Sequence, residues 1–107
     1  MDLSEFQASL TAEYPPRGLG TALRALWHDA RGDGKRAHEI AASETTRAAN
    51  HVHAYLHRKE GDLAGADYWY VRVGTERPRG SLETEWMALA RALLAGKKLP
   101  CRARRRR

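Results

Sequence analysis

The feature that most constrains this chain is an internal repeat with a constant offset of 29 residues. Residues 25–33 (ALWHDARGD) recur as residues 54–62 (AYLHRKEGD), and an alanine follows each copy, at Ala37 and Ala66. Alanine, histidine, glycine and aspartate stand at the same places in both copies. A fixed period of roughly 20–50 residues is typical of proteins built from stacked structural units. The repeat therefore says much about fold and little about function.

Each copy predicts a helix, a Gly-Asp turn and a second helix. Glycine allows the left-handed residue that ends the first helix, and aspartate caps the free N–H groups of the second. Apolar residues recur at helical spacing around both turns and again in a stretch near Trp86. A short first helix is expected too, with Ser4 and Gln7 forming a capping box. We predict an all-α fold of five to six short helices: two stacked helix-turn-helix repeats flanked by capping helices.

The repeated turns resemble those of the tetratricopeptide repeat, whose consensus carries Gly-Asp-x-x-x-Ala at this point. Ala25 and Ala54 match its small residue in the first helix, and Tyr70 and Pro78 match two consensus positions in the second copy. The period is shorter than the roughly 34 residues typical of that family. The resemblance implies stacked helical hairpins, which present a concave surface that binds proteins or peptides.

Three further blocks resemble a family of small uncharacterised bacterial proteins. They are Leu-Trp-His-Asp-Ala-Arg-Gly-Asp at 26–33, His-Ala-Tyr-Leu-His-Arg-Lys-Glu-Gly-Asp-Leu at 53–63, and Tyr-Trp-Tyr at 68–70. The match covers about residues 20–90. It supports the helical fold and implies no particular reaction.

Charge divides the 107 residues into two parts. Residues 1–96 carry 12 Lys and Arg against 13 Asp and Glu, whereas residues 97–107 carry seven basic residues and no acid. We therefore predict one helical-repeat domain over 1–96 and a disordered basic tail over 97–107, where salt-sensitive association with nucleic acid is possible.

The compartment follows from what the sequence lacks. Cys101 is the single cysteine, which excludes an intramolecular disulfide. The acidic N-terminus is unlike a secretory signal, and no apolar run is long enough to cross a membrane. We expect a cytoplasmic protein with no membrane span.

The candidate metal ligands are His53, His57 and Glu60, which follow one another at helical spacing on one face. Two imidazoles and a carboxylate suit zinc or another borderline metal, and either His28 or His38 is able to complete the set. The alternative is that these histidines only pack against a neighbouring helix. No metal-independent catalytic motif is recognisable, so an enzyme is uncertain and a non-enzymatic role is favoured.

The candidate binding residues lie in the same second copy. Arg58 either holds an anionic ligand in a bidentate fork or forms a local ion pair at a solvated helix end. Residues 68–70 spread too widely around a helix to share one core face. Tyr68 therefore either lines a recognition groove with Tyr55, His53 and Arg72 or belongs to aromatic packing between short helices. The leading hypothesis is a helical-repeat module that binds a protein or peptide. The first alternative is a metal-binding protein or enzyme that uses His53, His57 and Glu60. The second is nucleic-acid association through the basic tail, and a homodimer is possible.

Overall fold

The chain folds into six α-helices in the computed structural model, which describes residues 1–96. The helices are α1 (Leu3–Ala8), α2 (Thr21–Ala30), α3 (Gly34–Ala42), α4 (Arg47–Lys59), α5 (Leu63–Arg72) and α6 (Leu82–Leu94). A 3₁₀ turn, Ser9–Thr11, continues α1, and the described residues contain no strand. The predicted all-α class is confirmed. The predicted basic tail lies outside the described residues.

The two copies of the repeat form two helical hairpins, α2 with α3 and α4 with α5. Gly32 and Gly61 end the first helix of each hairpin with φ of 86° and 87°, values that residues other than glycine rarely adopt. Asp33 and Asp62 then cap α3 and α5, each accepting a hydrogen bond from the backbone N–H three residues later. The sequence-predicted turn is therefore present in both copies.

Small residues let the helices of each hairpin approach closely. Ala25 and Ala37 in the first hairpin, and Ala54 and Ala66 in the second, are all fully buried. Helix α3 also packs against α4, so the second helix of one hairpin contacts the first helix of the next. This stacking brings residues of the first copy against residues of the second.

Helix α6 packs across α2 and α4, with α1 on α6. The rings of Phe6 and Trp86 stack at 5.8 Å between centroids, and the indole N–H of Trp86 donates to the carbonyl of Leu26 at 3.1 Å. The sequence predicts that these two flanking helices cover the open ends of the stack. Instead α6 lies across the first helices of both hairpins and α1 lies on α6, while α5 exposes Tyr68 and Val71.

The predicted capping box at Ser4 is wrong, because α1 begins earlier. The Asp2 carboxylate accepts from the N–H of Glu5 at 2.8 Å, and the Glu5 carboxylate accepts from the N–H of Asp2 at 2.9 Å. A reciprocal pair at Asp2 and Glu5 satisfies two free donors, which leaves Ser4 inside the first turn.

The main core lies between α2, α4 and α6. Its largest fully buried side chains come from four helices: Trp27, Leu26, Phe6, Leu56, Leu89 and Val52. None of the helices within residues 1–96 combines the length and apolarity needed to cross a bilayer.

Candidate functional site

Three histidines meet where the two hairpins stack. His53 and His57 are one turn apart on α4, so their rings share a face, and α3 packs against that face and contributes His38. The Nε2 atom of His53 lies 2.9 Å from Nε2 of His38 and 3.2 Å from Nε2 of His57. One ring nitrogen from each histidine therefore points toward a shared centre.

Carboxylates occupy the opposite side of two of these rings. Nδ1 of His38 lies 2.6 Å from Oε2 of Glu60, and Nδ1 of His57 lies 3.0 Å from Oδ2 of Asp62. A carboxylate accepts hydrogen bonds, so each Nδ1 carries the proton and each Nε2 presents its lone pair. Carboxylates that orient imidazoles in this way are typical partners of metal-binding histidines.

This tautomer makes the centre of the cluster electron-rich. With all three rings neutral, Nε2 of His53 has at most one proton to share with its two neighbours. One of the two close nitrogen pairs then has no proton between its atoms. A cation at the centre removes the repulsion between that pair, and the two outer carboxylates balance a charge of two.

His53 is held in the neutral form that metal binding requires. Its side chain is buried, and its ring stacks on Trp69 with centroids 4.5 Å apart. Burial, followed by the neighbouring His38 and His57, lowers the pKa of His53 to about 4. A neutral imidazole keeps a nitrogen lone pair available near pH 7.

The distances of 2.9 and 3.2 Å from Nε2 of His53 to its two neighbours are close to the ligand spacing of a small tetrahedral ion. Zinc–nitrogen bonds of about 2.0–2.1 Å place ligand nitrogens about 3.4 Å apart at a tetrahedral centre. Ligand atoms from the three histidines all lie within 4.8 Å of one another. His38 and His57 keep 26% and 18% of their side chains exposed, so solvent or a fourth ligand has access to the centre.

The structure brings together the predicted pair His53 and His57 and adds His38, one of the two candidates to complete it. The other candidate, His28, packs edge-on against Trp27 with ring centroids 5.0 Å apart. Glu60 contacts Nδ1 of His38, on the side of the ring away from the shared centre. Direct ligation by Glu60 remains a prediction.

Tyr55 and Arg58 are both committed to contacts within the protein. The buried Tyr55 hydroxyl donates to Asp29 at 2.9 Å, and burial, followed by that carboxylate, raises its pKa. Arg58 pairs with the buried Glu85 at 2.7 Å and also donates to the carbonyl of Gly80. The Arg58 guanidinium, one predicted role of which is to bind an anionic ligand, therefore pairs with a carboxylate of α6.

Tyr68 and Arg72 form an exposed edge beside the histidines. The Arg72 guanidinium lies 5.4 Å from the ring centroids of both Tyr68 and Trp69, and Tyr68 is 57% exposed. Because Trp69 stacks on His53, this edge adjoins the histidine cluster. The structure places Arg72 and, through Trp69, His53 near Tyr68, whereas the Tyr55 hydroxyl bonds to Asp29. A recognition groove at this edge stays a prediction.

Sequence reasoning gave no site role to Asp62, Gly65 or Trp69. Asp62 had been assigned only to the helix cap. One signal was available: residue 36 of the first copy is arginine, whereas the equivalent residue 65 is glycine inside a helix.

Comparison with known proteins adds no relative. No protein-family model, no curated protein and no solved structure matches this chain.

Proposed function

We propose that this chain binds one divalent transition-metal ion, of the zinc class, through Nε2 of His38, His53 and His57. The observation that carries the proposal is the convergence of these three nitrogens while Glu60 and Asp62 hold Nδ1 of two of the rings. Imidazole is a preferred ligand of Zn²⁺, Cu²⁺ and Ni²⁺, and three protein ligands leave a coordination position open.

Burial and position support the same proposal. His53 is buried against Trp69, whereas the side chains of His38 and His57 are partly exposed. The ligands come from both hairpins, so a bound ion would join α3 to α4. Metal that binds only the folded chain stabilises it, by about 2.7 kcal/mol at a concentration of 100 times Kd.

The repeat provides a matched pair of variants for the test. His57 and His28 occupy equivalent positions in the two copies, and only His57 belongs to the cluster. We expect the metal-depleted full chain to take up one equivalent of Zn²⁺ by calorimetric titration. His28→Ala should behave like the wild type. His57→Ala should lose more than the roughly 10–100-fold that an outer partner of a metal site contributes.

Two results would count against the metal site. One is a wild-type chain that takes up no Zn²⁺, Co²⁺ or Ni²⁺ at micromolar concentration. The other is an equal loss of affinity in His28→Ala and His57→Ala, which would assign binding to the fold as a whole. Circular dichroism of each metal-free variant checks that it is folded.

A tetratricopeptide-like peptide-binding module is the second candidate. Its support is an open cleft of about 720 Å³ between α5 and the following loop, lined in part by Tyr70, Val71 and Arg79. Val71 is 73% exposed, so Val71→Asp should leave the fold intact. Peptides selected from a random library on the wild type should lose binding to Val71→Asp and keep it with Tyr14→Ala. A selection that yields no peptide sensitive to Val71→Asp would contradict this candidate.

A further inference from the structure

We infer that the second hairpin turn is adapted to hold His57 for metal binding: Asp62 orients its imidazole, and Gly65 is glycine because a side chain there would displace that carboxylate. The inference rests on the proposed metal site. It adds two positioning residues, neither of which touches the ion.

Asp62 uses its two oxygens for two different tasks. Oδ1 accepts from the N–H of Gly65 at 3.0 Å, which caps α5, and Oδ2 lies 3.0 Å from Nδ1 of His57. One side chain therefore ends the turn and fixes the orientation of a metal ligand.

Gly65 leaves room for this double use. A Cβ built on Gly65 would lie 2.8 Å from Cγ of Asp62 and 3.0 Å from Nδ1 of His57, and closer still to Oδ2 of Asp62. Carbon atoms in proteins do not approach so closely. Since Asp62 is exposed, its carboxylate would swing away, and the contact with His57 would be lost.

The first hairpin shows that the turn itself does not need this glycine. There Asp33 caps α3 through the N–H of Arg36 at 3.2 Å, and Arg36 is the equivalent of Gly65. Arginine favours helices and glycine disfavours them, so the second copy carries a residue that weakens α5. Gly65 does not have the positive φ that would explain it. Room for the Asp62–His57 contact does explain it.

The consequence for the site is the fixed tautomer of His57. With its Nδ1 proton held by Asp62, Nε2 is the only nitrogen able to bind metal, and it already faces His53. Partners of this kind typically contribute 10–100-fold to metal affinity. The first copy lacks this arrangement at His28, whose ring lies against Trp27.

The first experiment compares Asp62→Asn with Asp33→Asn in the full-length chain. Asparagine caps helices about as well as aspartate, so both variants should stay folded by circular dichroism. Titration of the metal-depleted chains with Zn²⁺ should show affinity reduced about 10-fold or more by Asp62→Asn. Asp33→Asn should match the wild type. Equal affinities for all three chains would overturn the inference.

The second experiment compares Gly65→Ala with Arg36→Ala. Alanine favours helix in both places, but displacement of the Asp62 carboxylate in Gly65→Ala also weakens the cap of α5. Circular dichroism of the metal-free chains therefore checks that both variants are folded. Gly65→Ala alone should weaken Zn²⁺ binding by about 10-fold and change the visible absorption of bound Co²⁺, which reports the ligand geometry. An unchanged Co²⁺ spectrum in Gly65→Ala would contradict the role of Gly65.

The results separate this inference from the proposed function. A wild-type chain that binds no metal overturns both. If the wild type binds metal and both Asp62→Asn and Gly65→Ala bind it equally tightly, the metal site stands and only the positioning roles are overturned.

Discussion

Consecutive residues of α4 reach two buried acids on different helices. Arg58 pairs with Glu85 of α6, whose other oxygen accepts from the Tyr70 hydroxyl at 2.6 Å. Lys59 pairs with Asp29 of α2 at 2.8 Å. Both acids are almost fully buried, and a buried charge that loses its partner is costly. At the scale of single residues, these pairs decide how α4 sits against its neighbours.

The Arg58–Glu85 pair is expected to be far more sensitive than an exposed one. Arg58→Met leaves the Glu85 carboxylate buried without its cation, which should lower the free energy of unfolding by about 3–5 kcal/mol. Arg77→Met removes the exposed ion pair with Asp67 and should cost less than about 1 kcal/mol. Urea unfolding of the metal-free chains gives both values. Similar losses in the two variants would show that the burial of Glu85 does not matter.

At the scale of elements, the Gly-Asp turn is the recurring unit. In each turn the glycine N–H donates three residues back, and the aspartate N–H donates to the carbonyl of the repeated histidine at 2.9–3.0 Å. These bonds satisfy carbonyls at the end of α2 and α4 that would otherwise lack partners. The turn works only with a left-handed residue at Gly32 and Gly61.

Substitution of that glycine is expected to weaken the fold even though space is available. Nothing lies within 4 Å of a Cβ built on Gly61, so Gly61→Ala should lose stability through its backbone conformation alone and not through a steric clash. We expect a loss of about 1–2 kcal/mol. Gly34→Ala, at the helical start of α3, is the control and should stabilise by about 0.4–1 kcal/mol. Thermal unfolding distinguishes the two, and a neutral Gly61→Ala would contradict the role of the positive φ.

The sequence predicted elements better than it predicted contacts between them. Periodic apolar residues and the Gly-Asp turns depend on neighbours along the chain, so all six helices and both hairpins were accessible. The pairing of His53 with His57 was accessible for the same reason. The choice of His38 over His28, and the use of Arg58 by Glu85, depend on how separate helices pack. A single sequence does not encode those distances in any local pattern.

At the scale of the whole molecule, α3 is held with little apolar burial. Ala37 and Ala41 are its only buried residues, so it contributes little apolar area to the core. Its polar link to the second hairpin runs through His38, which contacts Glu60 and His53. A bound ion would strengthen that link and leave the packing of α6 unchanged.

Hydrogen exchange should therefore respond to metal unevenly. Addition of Zn²⁺ should slow amide exchange in α3 by a larger factor than in α6, because α3 opens more readily on its own. In His38→Ala, Zn²⁺ should have no such effect on α3. Exchange followed by mass spectrometry of peptides measures both helices in one sample. Uniform slowing across the chain would mean that the ion does not act at the junction of the hairpins.

The hydrogen bond from Trp86 to Leu26 joins residues 60 positions apart and has a further consequence. In an open array of repeats, each unit touches only its neighbours, so units are added or removed with little harm. Here α6 returns to the first hairpin and shares its core. The duplication therefore no longer confers modularity. Because α6 packs on both hairpins, removal of either one would expose part of α6, so we expect the two copies to unfold as one cooperative unit.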